Sequence, residues 1–384
     1  MKGTLKGLLG IVAMAPRSHF SKPTWPKDTE LVSLEFVLRA VADCELYAQY
    51  TIALHAWFLQ QIQTFDPELS AYLHDGESEK PFALTGLNGE FVAHSRTLQL
   101  ARDRVYRWRV NGLSAVAVAG LATWLKQPPP EMVIKDTPLH IQGIQVALPA
   151  TTYQQLRPED IATAPKEMSL TFTSPTSFRR RGHHLPLPWP RNVFHSYLRR
   201  WNLFSGQVVP QDEFLDWVDD HVIIQRHQLQ SVKVAAGKRG SVTGFTGAIT
   251  YGLDRKAQAH GEFYPLFFTL GRLAPYCGTG HKTTFGLGET VAGWQGEQNL
   301  VAVPSAQALL AERIEELTVL FREQRKRTGG DRAQNIAENW ATVVARRELG
   351  DSLQEIATDL GLPYETAKTY SKLARRALRE KDEG

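Results

Sequence analysis

Cysteine is scarce in this chain: Cys44 and Cys277 are the only two among 384 residues. Two thiols so far apart exclude a disulfide framework and a cysteine-bound zinc, and they suit a reducing cytoplasm. Long apolar runs are missing too, since no segment approaches the roughly twenty residues that a membrane span requires. Leu8 to Ala15, behind Lys2 and Lys6, imitates a secretory leader. That run is short, Pro16 stands where a mature chain would begin, and residues 1–30 read instead as a disordered extension. No cluster of Asp, Glu, His or Cys has metal-ligand spacing, so no metal or other cofactor is expected. The net charge is only +4, so any nucleic-acid surface must come from segregated charge.

Such segregation exists. Residues 168–204, MSLTFTSPTSFRRRGHHLPLPWPRNVFHSYLRRWNLF, contain no acid at all. They carry Arg179, Arg180, Arg181, Arg191, Arg199 and Arg200, interleaved with Phe178, His183, His184, Trp189 and Trp201. Clustered guanidinium groups beside aromatic rings suit phosphates and stacked bases. A solvated basic face over a Trp201 and Phe194 core is the plainer alternative.

Further on, GTGHKTTFGLG (278–288) imitates a nucleotide-binding loop. A phosphate-cradling P-loop needs glycine immediately before its lysine, and here His281 precedes Lys282, so that reading fails. Gly278 and Gly280 let the backbone turn tightly, and successive amides could form an anion nest. His281, Lys282, Thr283 and Thr284 add polar groups suited to a phosphodiester backbone. A glycine-rich turn with no ligand stands beside this reading.

The fold reads as α+β. LVSLEFVLRAVA (31–42) has strand character, TIALHAWFLQQI a helical one, and Asn88-Gly89 marks a hairpin within 81–94. The order strand, helix, strand, strand, helix, strand occurs once in each half. That order predicts two tandem ferredoxin-like (split βαβ) domains, over residues 31–150 and 165–300. From about Ser305 strand signals vanish, and residues 305–384 predict a small all-α domain. Within it, LGDSLQEIATDLGLPYETAKTYSKLARRALREK fits a helix-turn-helix, whose second helix carries Lys368, Lys372, Arg375, Arg376 and Arg379. A helical bundle packing on the rest of the protein fits the same residues.

The blocks SPTSFR (174–179), PLPWPRNVFHSYLRRWN (186–202), GFTGAITY (244–251) and CGTGHKTTFGLG (277–288), with ALHAWFLQQI before them, carry a resemblance. Together they resemble the CRISPR repeat-processing endoribonucleases, over about residues 31–291. The resemblance implies cleavage of a precursor RNA, at a repeat hairpin, without a metal ion. It implies 2′,3′-cyclic phosphate and 5′-hydroxyl ends, and guide RNAs passed to subunits of an effector complex. It places the catalytic histidine on the first helix, at His55, with Tyr50 or Tyr47 as the accompanying tyrosine. The alternative for His55 is a core histidine beside Phe58 and Leu59. Some family members add a lysine about two turns later, whereas residues 31–79 contain none. A non-catalytic RNA-binding scaffold, or a regulator binding DNA through the C-terminal domain, are the competing functions.

Overall fold

The computed structural model describes residues 22–46, 50–74, 79–93, 98–158, 166–180, 183–235, 241–259, 261–295, 305–323, 331–349 and 351–382. In chain order its first part holds β1 (Leu31–Ala40), β2 (Cys44–Leu46), α1 (Tyr50–Phe65), α2 (Pro67–His74) and β3 (Phe82–Leu84). Then come β4 (Val92–Ala93), β5 (Leu98–Leu100), β6 (Tyr106–Gly112), α3 (Ala115–Trp124), β7 (Glu131–Ile134) and β8 (Thr137–Thr151). The second part holds β9 (Glu167–Thr176), β10 (Phe178–Arg180), β11 (His183–Leu185), α4 (Pro190–Phe204) and α5 (Gln211–His221). It continues through β12 (Val222–Ala235), β13 (Ser241–Leu253), α6 (Phe263–Cys277) and β14 (Thr290–Ala292). Among the described residues the last elements are α7 (Ser305–Glu323), α8 (Asp331–Glu348), α9 (Leu353–Leu360) and α10 (Tyr364–Asp382).

Local chemistry accounts for these elements. α1 buries Tyr50, Leu54, Trp57, Phe58 and Ile62, one stripe at helical spacing. α3 begins where the Ser114 side chain accepts a hydrogen bond from the Ala117 amide, and α4 begins with Pro190 in its first turn. β1 is buried along both faces, which explains why its alternation is only partial in the sequence. Leu34, Phe36 and Leu38 enter a core with Trp57, Trp108 and Trp124, while Ser33 and Glu35 are buried on the other face.

The first large sheet runs β3-β6-β1-β8-β7 and the second β12-β13-β9-β14, antiparallel throughout. Counting the principal strands of each in chain order, both sheets read second, third, first, fourth. Helices α1 and α3, or α4 and α6, follow the first and third strands. The mixed α+β character expected of the sequence is therefore present. The hairpin expected around Asn88-Gly89 is not, because β3 pairs with β6 and β4 with β5. Asn88 bridges instead to Arg107.

The expected disordered extension needs correction at its end. Residues 1–21 lie outside the described residues, but Trp25 packs on the first core and Thr29 is buried. Glu30 also accepts a hydrogen bond from the Tyr153 amide at 2.8 Å. After β14, α7 lies along β12, where Lys233 pairs with Glu315. Lys135, in the β7–β8 turn, reaches Glu355 of α9 at 3.9 Å, so the terminal helices touch both sheet-bearing parts. Among the described residues no helix is long and apolar enough to cross a membrane, and no group of His, Cys, Asp and Glu is arranged to hold a metal.

Candidate active site

The glycine-rich stretch leaves α6 and folds back on its own chain. Gly280 and Gly288 sit in the left-handed region, with φ of 78° and 73°. A Cβ at Gly280 would lie 2.3 Å from the Ser177 carbonyl oxygen, and one at Gly288 2.0 Å from that of Thr279. Only glycine fits either position. The resulting amides are already engaged: Gly278 donates to Ala274, Thr279 to Gly288, His281 to Ser177 and Gly288 to Pro175, at 2.8–3.0 Å. Gly280 donates to the Ser196 hydroxyl at 2.8 Å. The expected anion nest is thereby corrected at these positions, since the amides hold the loop's own shape. Thr283 and Thr284 are buried rather than presented to a ligand.

Helix α4 braces the loop from below. Arg200, also read as an RNA contact, is only 3% exposed. Its guanidinium donates to Ser196, to the Gly280 carbonyl at 3.3 Å and to Thr283 Oγ1 at 3.1 Å, and pairs with Glu79 at 3.1 Å. Tyr197, Thr279 and Thr290 form a buried hydroxyl chain beside it, with spacings of 2.6 and 2.7 Å. Arg200 is a structural strut.

The loop's tip meets the first half of the chain. Phe285 stacks on His55 of α1 with ring centroids 4.3 Å apart and planes 21° from parallel. Phe82 of β3 lies near the same imidazole at 6.0 Å. Gly286 passes so close that a Cβ there would sit 3.0 Å from Thr51 and from the Gly86 amide nitrogen. His55 is half-buried, packed on aromatic rings at the boundary between halves. Tyr50 does not share this position. It is buried, its hydroxyl accepts from the Leu87 amide at 3.2 Å, and burial pushes its pKa far above the ordinary phenol range. Tyr50 is therefore corrected to a core residue, while Tyr47 lies outside the described residues.

Beside the loop opens a cavity of about 410 Å³, lined by Arg179, His195, Arg199, Gly280 and His281 among others. Burial, reinforced by Lys282, His184, Arg179 and Arg199, lowers His281 to about 4. His184 is lowered as well, first by burial and then by Lys282 and Arg179. Both shifts favour the uncharged imidazole, and the two ring centroids lie 6.1 Å apart. Arg179 is exposed, whereas Arg199 pairs with Glu79 at 2.7 Å and Arg191 with Asp216 and Asp219 at 2.9 and 2.6 Å. The side chains of Arg180 and His183, and all of Arg181, lie outside the described residues.

Two sequence models span both halves of this arrangement. The CRISPR Cas6 N-terminal domain matches residues 33–119, and the CRISPR-associated endoribonuclease Cas6 matches residues 170–290. The chain belongs to the Cas6 family. A curated Streptococcus thermophilus CRISPR-associated endoribonuclease Cas6 is 26% identical over 121 residues, covering 31% of this chain and 48% of that protein. The match thus spans about half the length of that relative. A Cas6 solved as a product complex is 26% identical, with a TM-score of 0.52, covering 68% of this chain and 99% of the other. A Cas6 bound to a substrate mimic gives 26%, 0.51, 69% and 100% respectively. Both Cas6 models end before α7, leaving the four terminal helices without a counterpart there.

Sequence reading missed two groups around this Cas6 site. Glu79, from the segment before β3, neutralises Arg199 and Arg200, and nothing local signals that pairing. Glu35 of β1 accepts from Arg109 at 3.1 Å and from Gln145 at 2.8 Å, and Arg109 also faces Glu289 at 3.6 Å. Burial raises the Glu289 pKa while Arg109 draws it down. This polar layer joins the first sheet to the end of the glycine-rich loop. An acid on a strand otherwise rich in Leu and Val was the available signal for Glu35.

Proposed function

We propose that this chain is a metal-independent endoribonuclease that cleaves CRISPR repeat RNA within a precursor transcript, yielding guide RNAs for an effector complex. The observation that carries the reading is the His55–Phe285 stack, which sets an acid–base residue from the first half against the basic, glycine-rich loop of the second. We read the two halves as ferredoxin-like units over residues 31–150 and 165–300, since both sheets share one strand order. We read residues 305–384 as an appended helical unit.

RNA supplies its own nucleophile. The ribose 2′-hydroxyl loses its proton, its oxygen attacks the adjacent phosphorus, and the bond to the leaving 5′-oxygen breaks as that oxygen gains a proton. The products are a 2′,3′-cyclic phosphate and a 5′-hydroxyl. His55 moves the proton at one of these oxygens, being held half-buried yet not sealed. Tyr50 takes no part, because its hydroxyl stays engaged in the core. Positive charge for the phosphoryl oxygens comes from the neighbourhood of Lys282 and Arg179, the cations that depress His281 and His184. With His281 neutral, that residue accepts or donates a hydrogen bond without adding charge.

The test is cleavage of repeat RNA in EDTA, followed by analysis of the product ends. His55→Ala should lose about 10²–10⁴-fold in single-turnover rate, the usual worth of acid–base help, with RNA affinity retained. Unchanged cleavage would remove His55 from the mechanism. Binding without any cleavage by the unmodified chain would leave an RNA-binding scaffold instead.

A further inference from the structure

Helices α9 and α10 belong to no part of the proposed nuclease. α9 opens with a full capping box, Ser352 and Glu355 exchanging hydrogen bonds with each other's backbone amides. It closes on Gly361 in the left-handed conformation, with φ of 65°. Leu362 and Pro363 complete a tight turn, and α10 then runs for 19 residues, about 28 Å at helical rise. Ile356 and Ala357 of α9 are buried, as are Ala367, Ser371 and Ala374 along one side of α10. Small side chains at that spacing let α10 approach both α8 and α9 closely. Arg346 of α8, fully buried, holds Asp351 at 2.6 Å and Asp359 at 2.8 Å, which fixes α9 on its support.

The other side of α10 is open. Tyr364, Lys368, Thr369, Lys372, Arg375, Arg376 and Arg379 are all exposed. From Tyr364 to Arg379 the only acid is Glu365, which pairs with Lys368 at 3.5 Å. The result is a short supporting helix, a tight turn and a long helix whose outward face is basic and hydrogen-bonding.

We propose that α10 is a recognition helix that binds the major groove of double-stranded DNA, at a site separate from the RNA cavity. Shape selects the ligand. A helix of about 10–12 Å diameter enters the major groove of B-form DNA, which is about 12 Å wide. The deep, narrow major groove of A-form RNA does not admit side chains in this way. Charge selects a polyanion, and Tyr364, Thr369 and Lys372 stand on the open face with groups able to meet base edges or phosphates.

The test uses the full chain and a fluorescent mixed-sequence DNA duplex of about 30 base pairs, roughly three helical turns. Anisotropy should give a dissociation constant of about 10⁻⁴–10⁻⁶ M at physiological salt, with affinity falling steeply between about 50 and 200 mM. Combined Lys368→Glu, Lys372→Glu and Arg375→Glu should weaken DNA binding at least tenfold and flatten its salt dependence, while repeat-RNA binding stays unchanged. Arg179→Ala should leave DNA binding intact. The proposal is overturned if no duplex binds at low salt, which would leave the face to a protein partner. It is equally overturned if the triple variant binds DNA normally, or if a same-sequence RNA duplex competes as well as DNA. Because the readout is DNA binding, failure of the nuclease reading would leave this result untouched.

Discussion

Two basic regions of this protein look alike on paper and differ in space. The stretch 179–200 and residues 366–379 of helix α10 are both basic and contain no acid. In the first, acids from distant parts of the chain arrive to meet the arginines. Asp216 and Asp219 take Arg191, and Glu79 takes both Arg199 and Arg200. In α10 the cations from Lys368 to Arg379 lie at the surface, and Lys368 pairs locally, with Glu365 of the same helix. A local lack of acids therefore says little about free charge, because pairing is a property of the fold.

The sharpest test of that rule is to remove a buried and an exposed charge from the first region. Arg200→Ala leaves Glu79 without its buried partner and frees the Gly280 and Thr283 contacts, so the expected loss is about 3–5 kcal/mol of unfolding free energy. Urea denaturation measures it, and a change near zero would return Arg200 to the surface. Smaller and pH-dependent is the effect of His281. Its folded pKa, about 4, lies below the ordinary value of about 6.5. Stability is then fully present above pH 6.5 and lost progressively as the unfolded chain takes up a proton between about 6.5 and 4. His281→Gln should flatten that portion of the stability–pH curve. Smallest is Arg191→Ala, where an exposed pair is worth roughly 0–1 kcal/mol, and thermal melting should barely shift. A large shift there would erase the distinction between buried and surface arginines.

Much of the architecture was legible because it depends on neighbours in sequence. The helical spacing of α1 and the strand character of β1 both follow from local pattern. His55 was singled out only through the resemblance, since its surroundings are non-local. Phe285, which stacks on it, lies 230 positions away, and no periodicity links the two. Tyr50 went astray because helical position does not say which side chain the core will claim. The glycines at 278–288 correctly announced a strained turn, but not that the freed amides would bond inward.

The stack of Phe285 on His55 has a bearing on inheritance and engineering alike. One half of the chain bears the imidazole and the other half stacks on it, so under the proposed mechanism neither half carries a complete site. Activity becomes a reporter of assembly. A chain severed between β8 and β9 would be silent as two fragments and would recover only when they reunite, the behaviour of a split enzyme.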